Sequence, residues 1–200
     1  MSAAIDFYFD FSSPYGFLAS ERIEALAAKH GRSVDWHPIM LGVVFKQTGA
    51  VPLTTIPLKG DYSKRDMARS ARLHGVAFRM PSKFPIPSQA PARIALWQAQ
   101  RDPALAVKLI HAYYRAFFVD DTDISAPDNA IAIAAKCGID SAAARAAIDD
   151  PAVKDALRLE NEHAIARGVF GSPFIIVDGE PFWGMDRLDQ VERWLATGGW

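Results

Sequence analysis

The sequence predicts an α/β fold in which a βαβ unit and a ββα unit are separated by an all-α insertion. Three observations predict it: a βαβ pattern at the start, a run of helical patterns with no strand between them in the middle, and a hairpin followed by an amphipathic helix at the end. Residues 5 to 11, "IDFYFDF", alternate with period two and are rich in aromatics, the mark of a strand. Pro14 suits the first turn of a helix, where a missing N–H costs nothing, and "YGFLASERIEALAAKHG" carries that helix to a C-terminal glycine, Gly31. The next strand spans residues 33 to 41, "SVDWHPIML". Short joins between strand, helix and strand make a βαβ unit, whose crossover is right-handed almost without exception.

From Leu41 to about Pro91 the pattern changes to "TGAVPLTTIPLKG", a helical "YSKRDMARSARLHG" and the proline-rich "MPSKFPIPSQAP". Loops this long usually line a site. Helical patterns follow at about residues 91 to 101, 103 to 118, 127 to 137, 141 to 148 and 151 to 167, with Pro103, Pro127 and Pro151 at helix starts and Asp102, Ser125 and Asp150 as capping candidates. The end of the chain reads as a hairpin, "PFIIV" and "PFWG" around an Asp-Gly turn, and a last helix with apolar residues at 185, 188, 191, 194 and 195. This is the thioredoxin order with a helical domain between its halves: a thioredoxin-like domain over 1–60 and 168–200, and an inserted helical domain over 61–167.

With 200 residues the chain is long enough to bury a real core. Its 22 basic and 23 acidic residues are interspersed, which argues against nucleic acid or an anionic membrane as a main partner. The N-terminus lacks the basic and apolar regions of a secretory signal, and no stretch approaches a membrane span, so a soluble cytoplasmic protein is expected. The five histidines show no paired metal-ligand spacing, and no metal is expected. The stripe Trp97, Tyr113, Tyr114, Phe117 and Phe118 is expected to pack the helical domain, with part of it available to an aromatic substrate.

The chain's single cysteine, Cys137, has no partner for a disulfide, which excludes a self-contained dithiol reaction. In a thioredoxin-like order the first strand-to-helix turn is where a C-x-x-C motif puts its reactive sulfur, yet here that turn reads "SSPY". Ser13 is therefore either an ordinary N-cap or a hydroxyl that meets the reactive atom of a ligand at a helix N-terminus. Three further features bear on the choice. Pro173 in "FGSPF" starts a strand beside that turn, and a cis bond there would leave the Ser172 N–H and C=O free to pair with an extended peptide. Gly184 in "WGMDRL" precedes another helix N-terminus, where Asp186 would bind an ammonium group. Lys59 in "PLKGDY" lies in the long loop region that borders the same cleft. A small peptide with an α-amino acid end fits this pocket, and glutathione is such a peptide, bringing the thiol the chain lacks. A hydroxyl donor and helix amides directed at its sulfur would favour the reactive thiolate.

The segments "FYFDFSSPYGFLA", "LKGDY", "FGSPF" and "WGMDRL", together with the insertion, resemble the 2-hydroxychromene-2-carboxylate isomerases and the related kappa-class glutathione transferases over nearly the whole chain. The resemblance implies that Ser13 contacts the glutathione sulfur within the binding motif Ser13, Pro14 and Tyr15. It further implies that Ser172, before Pro173, pairs with the cysteinyl backbone, that Asp186 and Arg187 hold the γ-glutamyl end, and that Lys59, with Lys46, binds the substrate. Three residues depart from the pattern: Gly16 stands where many relatives have a hydroxyl residue, Ala50 where kappa-class members have a glutathione-binding asparagine, and Ser172 where the residue is usually apolar. The activity implied is a glutathione-dependent isomerase that interconverts 2-hydroxychromene-2-carboxylate and trans-o-hydroxybenzylidenepyruvate in aromatic catabolism. Thiolate addition, bond rotation and elimination would return the glutathione unchanged. The alternatives are a kappa-class transferase or peroxidase, which consumes glutathione, and a non-catalytic thioredoxin-like module that holds a peptide. A homodimer is expected, with the apolar C-terminal "RWLATGGW" packed or buried between subunits.

Overall fold

Four strands make one mixed sheet in the order β2-β1-β3-β4: β1 (Ile5–Phe9), β2 (Val34–Pro38), β3 (Phe174–Val177) and β4 (Glu180–Trp183). The computed structural model describes residues 4–200, so the first three residues of the unit expected over 1–60 lie outside it. β1 pairs in parallel with β2 and antiparallel with β3, and Phe7 lies opposite both Trp36 and Ile175. The sheet centre is thus aromatic on one side of β1 and β-branched on the other, which suits a pleated surface buried on its faces. Asp178 and Gly179 make the β3-β4 hairpin, both at positive φ (52° and 92°), as a two-residue turn of this kind requires.

The crossover from β1 to β2 is helix α1 (Pro14–Lys29), and Gly31 follows its end in the left-handed conformation (φ 65°). The central block consists of α2 (Leu41–Thr48), α3 (Lys59–Leu73), α4 (Gln89–Ala99), α5 (Pro103–Phe118), α6 (Pro127–Lys136), α7 (Ser141–Asp149) and α8 (Pro151–Ala166), and α9 (Leu188–Thr197) closes the chain. Asp102 caps α5 by accepting from the Leu105 N–H at 3.0 Å, and Asp150 caps α8 by accepting from the Ala152 N–H at 2.8 Å. Ser125 does not cap α6. Ala126 holds that position, and the Ser125 hydroxyl instead donates to Asp123, which also accepts from its N–H.

Two expected strands are shorter than the alternation suggested. The first ends at Phe9 because the Asp10 N–H leaves the ladder to donate to the Ser172 hydroxyl at 3.0 Å. The second ends at Pro38, and residues 41 to 48, which gave no separate signal, form α2. Its capping comes from far along the chain: the Leu41 N–H donates to Asp10 Oδ2 at 2.7 Å and the Met40 N–H to Asn161 Oδ1 at 2.8 Å.

The insertion and the sheet share a continuous core. Tyr113, Tyr114, Phe117 and Phe118 of α5 are buried, and three of their rings meet β1, the turn after it and α1: Tyr114 lies 5.9 Å from Phe9, Tyr113 5.4 Å from Phe11, and Phe118 5.4 Å from Phe17. Each such side chain contributes about 1.5–3 kcal/mol through burial, so α5 anchors the helical block firmly against the edge of the site. Two histidines also tie the block to the sheet half. His37 on β2 lies between Glu160 of α8 (2.7 Å) and Asp6 of β1 (3.2 Å), while His111 on α5 faces Glu24 (2.8 Å) and Glu21 (3.5 Å) of α1. Among the described residues no helix is long and apolar enough to cross a membrane.

Candidate active site

The turn between β1 and α1 carries the centre of the site. Ser13 is the N-cap of α1, with extended backbone (φ −101°, ψ 110°), because Pro14 after it has no N–H to donate and is preset for the first helical position. Its Oγ accepts from the Gly16 N–H at 3.0 Å and donates to the Ser172 carbonyl at 2.8 Å. Ser13 is 4% exposed and lines a cavity of about 1280 Å³.

The Ser172-Pro173 bond is cis and brings the loop before β3 against this turn. One expectation is corrected here. The Ser172 carbonyl is not free, since it accepts the Ser13 hydroxyl, and the Ser172 side chain accepts from the Asp10 N–H. Among the described residues, the amide N–H groups of Tyr15 and Ser172 have no hydrogen-bond acceptor, and both residues line the cavity. The next segment is tied on by the Gly184 N–H, which donates to the Pro173 carbonyl at 3.1 Å. Gly184 has φ 107°, a left-handed value that favours glycine, and the 3-10 turn Met185–Arg187 follows it. Asp186 thus sits in a 3-10 turn ahead of α9 rather than in that helix, and its carboxylate lies 3.6 Å from the Arg187 guanidinium. Both residues line the cavity.

Of the residues the sequence singled out, the structure brings Ser13, Pro14, Tyr15, Ser172, Pro173, Asp186 and Arg187 into one wall. It leaves Lys46 and Lys59 out. Lys46 is exposed in the last turn of α2 and Lys59 is exposed at the start of α3, and it is their neighbours Phe45, Thr54, Ile56 and Tyr62 that reach the cavity. The basic side chains in the described wall are His74 and Arg187. Ala50, also in the wall, offers a methyl group. Cys137 is half-buried at the C-terminus of α6, outside the wall, and burial pushes its thiol up. The aromatic stripe of α5 packs the core and does not face the cavity, although the Tyr114 hydroxyl donates to the Asp10 carbonyl at 3.0 Å behind it.

Asp10 is the residue that sequence reasoning missed. Its carboxylate is 3% exposed and accepts from the Ser12 N–H (2.7 Å), the Ser88 hydroxyl (2.7 Å) and the Leu41 N–H (2.7 Å). Burial pushes its carboxyl up, opposed by the hydrogen bonds from Ser88, Ser12 and Leu41. One side chain thereby fixes the Ser13 turn and the starts of α2 and α4 together. The available signal was an aspartate between two phenylalanines at the end of an aromatic strand pattern. Tyr15 is held likewise: its hydroxyl donates to Asp66 of α3 at 2.7 Å, and burial followed by that carboxylate pushes its pKa well up, so it stays protonated. Apolar residues of α2, α3 and the loops, among them Phe45, Leu53, Ile56, Met67 and Phe84, make up much of the remaining wall.

A cysteine-free thioredoxin-like turn beside a cis-proline, opening on a large apolar cavity, defines the class. The chain matches the DSBA-like thioredoxin domain over residues 4–196 and belongs to that family. Within it, the chain is 31% identical to a 2-hydroxychromene-2-carboxylate isomerase of Sphingobium xenophagum over 98% of this chain and 99% of that protein. It is 27% identical to glutathione S-transferase kappa 2 of Caenorhabditis elegans, covering 96% of this chain and 91% of the relative. A solved 2-hydroxychromene-2-carboxylate isomerase structure superposes with a TM-score of 0.85 at 28% identity, covering 96% of this chain and 94% of that one.

Proposed function

We propose that the protein is a glutathione-dependent isomerase of the 2-hydroxychromene-2-carboxylate type, acting in the cytoplasm as a homodimer on a small aromatic acid. The observation that carries this reading is Ser13, a hydroxyl at a helix N-terminus in the cavity wall, in a chain with no cysteine near it. The similarity to isomerases over nearly the full chain supports it.

The wall fits glutathione. Unpaired amides at Tyr15 and Ser172 suit a peptide backbone and an anionic sulfur, and Asp186 with Arg187 offers complementary charges to a γ-glutamyl ammonium and carboxylate. Bound there, glutathione supplies a thiolate whose reversible addition to a conjugated carbon turns a double bond into a rotatable single bond. The chain's own part is to orient and to hold charge. Ser13 turns its proton from the Ser172 carbonyl toward the anion, while the Gly16 N–H keeps Ser13 Oγ in place. Protonated Tyr15, fixed by Asp66, closes one side of the wall, and the apolar residues of α3 and the loops exclude water from the aromatic substrate.

One observation favours a second reading, a kappa-class transferase that consumes glutathione. Lys46 and Lys59 lie outside the wall, so the acid of an isomerase substrate meets neither lysine there. Turnover with a mass balance on free thiol separates the two, because isomerisation leaves thiol constant and transfer depletes it. A peptide-holding module shows no turnover with any thiol, and absence of binding at millimolar glutathione by calorimetric titration removes the enzyme reading.

A further inference from the structure

We infer that Ser172 is a positioning residue for Ser13, and that Gly16 is glycine because the Ser172 and Tyr114 hydroxyls occupy the space of position 16. This rests on the proposed glutathione site and adds the residue that sets its hydroxyl donor. Ser172 is attached to the Ser13 turn at two points. Its carbonyl accepts the Ser13 hydroxyl at 2.8 Å, and its own hydroxyl oxygen accepts the Asp10 N–H at 3.0 Å. The second bond holds the first acceptor in place. Without it, the loop before β3 keeps only the Ser13 hydroxyl as a hydrogen-bonded link to the turn at this point, and the buried Asp10 N–H loses its acceptor.

The geometry around Gly16 shows the other half. A Cβ at position 16 would lie 2.8 Å from Ser172 Oγ, 2.9 Å from the Tyr114 hydroxyl and 3.1 Å from Ser13 Cβ. Two of these are closer than real Cβ contacts, so the space is taken by two hydroxyls that both bond Asp10, one from its N–H and one to its carbonyl. Gly16 is not needed for its backbone conformation, since it lies inside α1 at negative φ, where alanine is the better helix former. It is needed for the room. Adding a methyl group there would push Ser172 Oγ off the Asp10 N–H and disturb the same tether that Ser172→Ala removes outright.

The test is the thiol titration of glutathione bound to wild type, Ser172→Ala, Gly16→Ala, the double variant and Ser172→Thr, followed by thiolate absorbance against pH. Each single variant loosens the carbonyl that competes with the thiolate for the Ser13 proton, so each should lower the bound-thiol pKa further, by up to about 0.7 of a unit, or roughly fivefold more thiolate at a pH below it. Because both act on one tether, the double variant should titrate like either single variant and not at the sum of their shifts. Ser172→Thr, which keeps the hydroxyl, should titrate close to wild type. If Ser172→Ala does not fold, Gly16→Ala against Ser172→Thr carries the same comparison. Should wild type bind glutathione and lower its thiol pKa while Ser172→Ala and Gly16→Ala lower it no further, this inference is wrong and the glutathione site stands. Additive shifts in the double variant would overturn it as well. A wild type that leaves the thiol pKa unmoved removes the glutathione reading, and this inference with it.

Discussion

Replacing Ser13 by alanine separates a cap from a thiolate donor, and the structure sets the size of each effect. Ser13 Oγ makes two hydrogen bonds, accepting from the Gly16 N–H and donating to the Ser172 carbonyl. Loss of the cap costs about 1 kcal/mol. The Ser172 carbonyl left without its donor adds about 1–3 kcal/mol if no water replaces it, so Ser13→Ala should be clearly less stable than cap loss alone would make it. The functional effect follows from one proton shared between two acceptors. A hydrogen bond to a charged acceptor is worth about 1.5–3 kcal/mol, but Ser13 must first give up a neutral bond to Ser172 worth about 1 kcal/mol. The net stabilisation of a bound thiolate is then about 0.5–2 kcal/mol, or roughly half a unit to one and a half units of pKa. In Ser13→Ala the bound thiol should titrate higher by that amount, activity near neutral pH should fall about three- to thirtyfold, and alkaline buffer should restore part of it. The assay is thiolate absorbance against pH with glutathione bound, at temperatures where both proteins are folded. Superimposable curves for the two proteins would refute the reasoning and return Ser13 to the role of a cap.

The proposed γ-glutamyl contact is exposed, so Asp186→Ala should weaken glutathione binding only about two- to fivefold by calorimetry; unchanged affinity would remove the contact. Since Lys59 stands outside the cavity wall, Lys59→Ala should alter KM for an anionic substrate by less than about twofold, and a larger change would place that side chain back in the site. His37 provides a pH dependence of stability: burial pulls its pKa down, but the Glu160 hydrogen bond and the charges of Glu160 and Asp6 outweigh it and leave the pKa raised above 6.5. A raised folded-state pKa gives stabilisation that is complete below the unfolded value and is lost as pH climbs through the folded one. Tm should therefore decline on the alkaline side of 6.5 in wild type and decline less in His37→Gln, read by calorimetry across that range.

The features whose causes are local were legible in the amino-acid sequence. Alternating aromatics made β1, proline starts with aspartate caps made α5 and α8, and Asp178-Gly179 made the hairpin, because propensity, capping and turn chemistry act within a few residues. The motifs around Ser13, Pro173 and Asp186 were also legible, since each is a short segment at the edge of an element. What only the tertiary structure decided depends on groups far apart in the chain. Helix α2 was invisible because its capping comes from Asp10 and Asn161, 31 and 121 residues away from the amides they bond. Lys59 was expected at the site from its long loop region, and both Lys59 and Lys46 from the resemblance, yet which side chains reach a cavity is set by how their helices pack. The acceptor for the Ser13 proton shows the same limit: a serine before a proline announces a cap, but the carbonyl that receives its hydrogen belongs to a residue 159 positions later, and packing alone brings the two together.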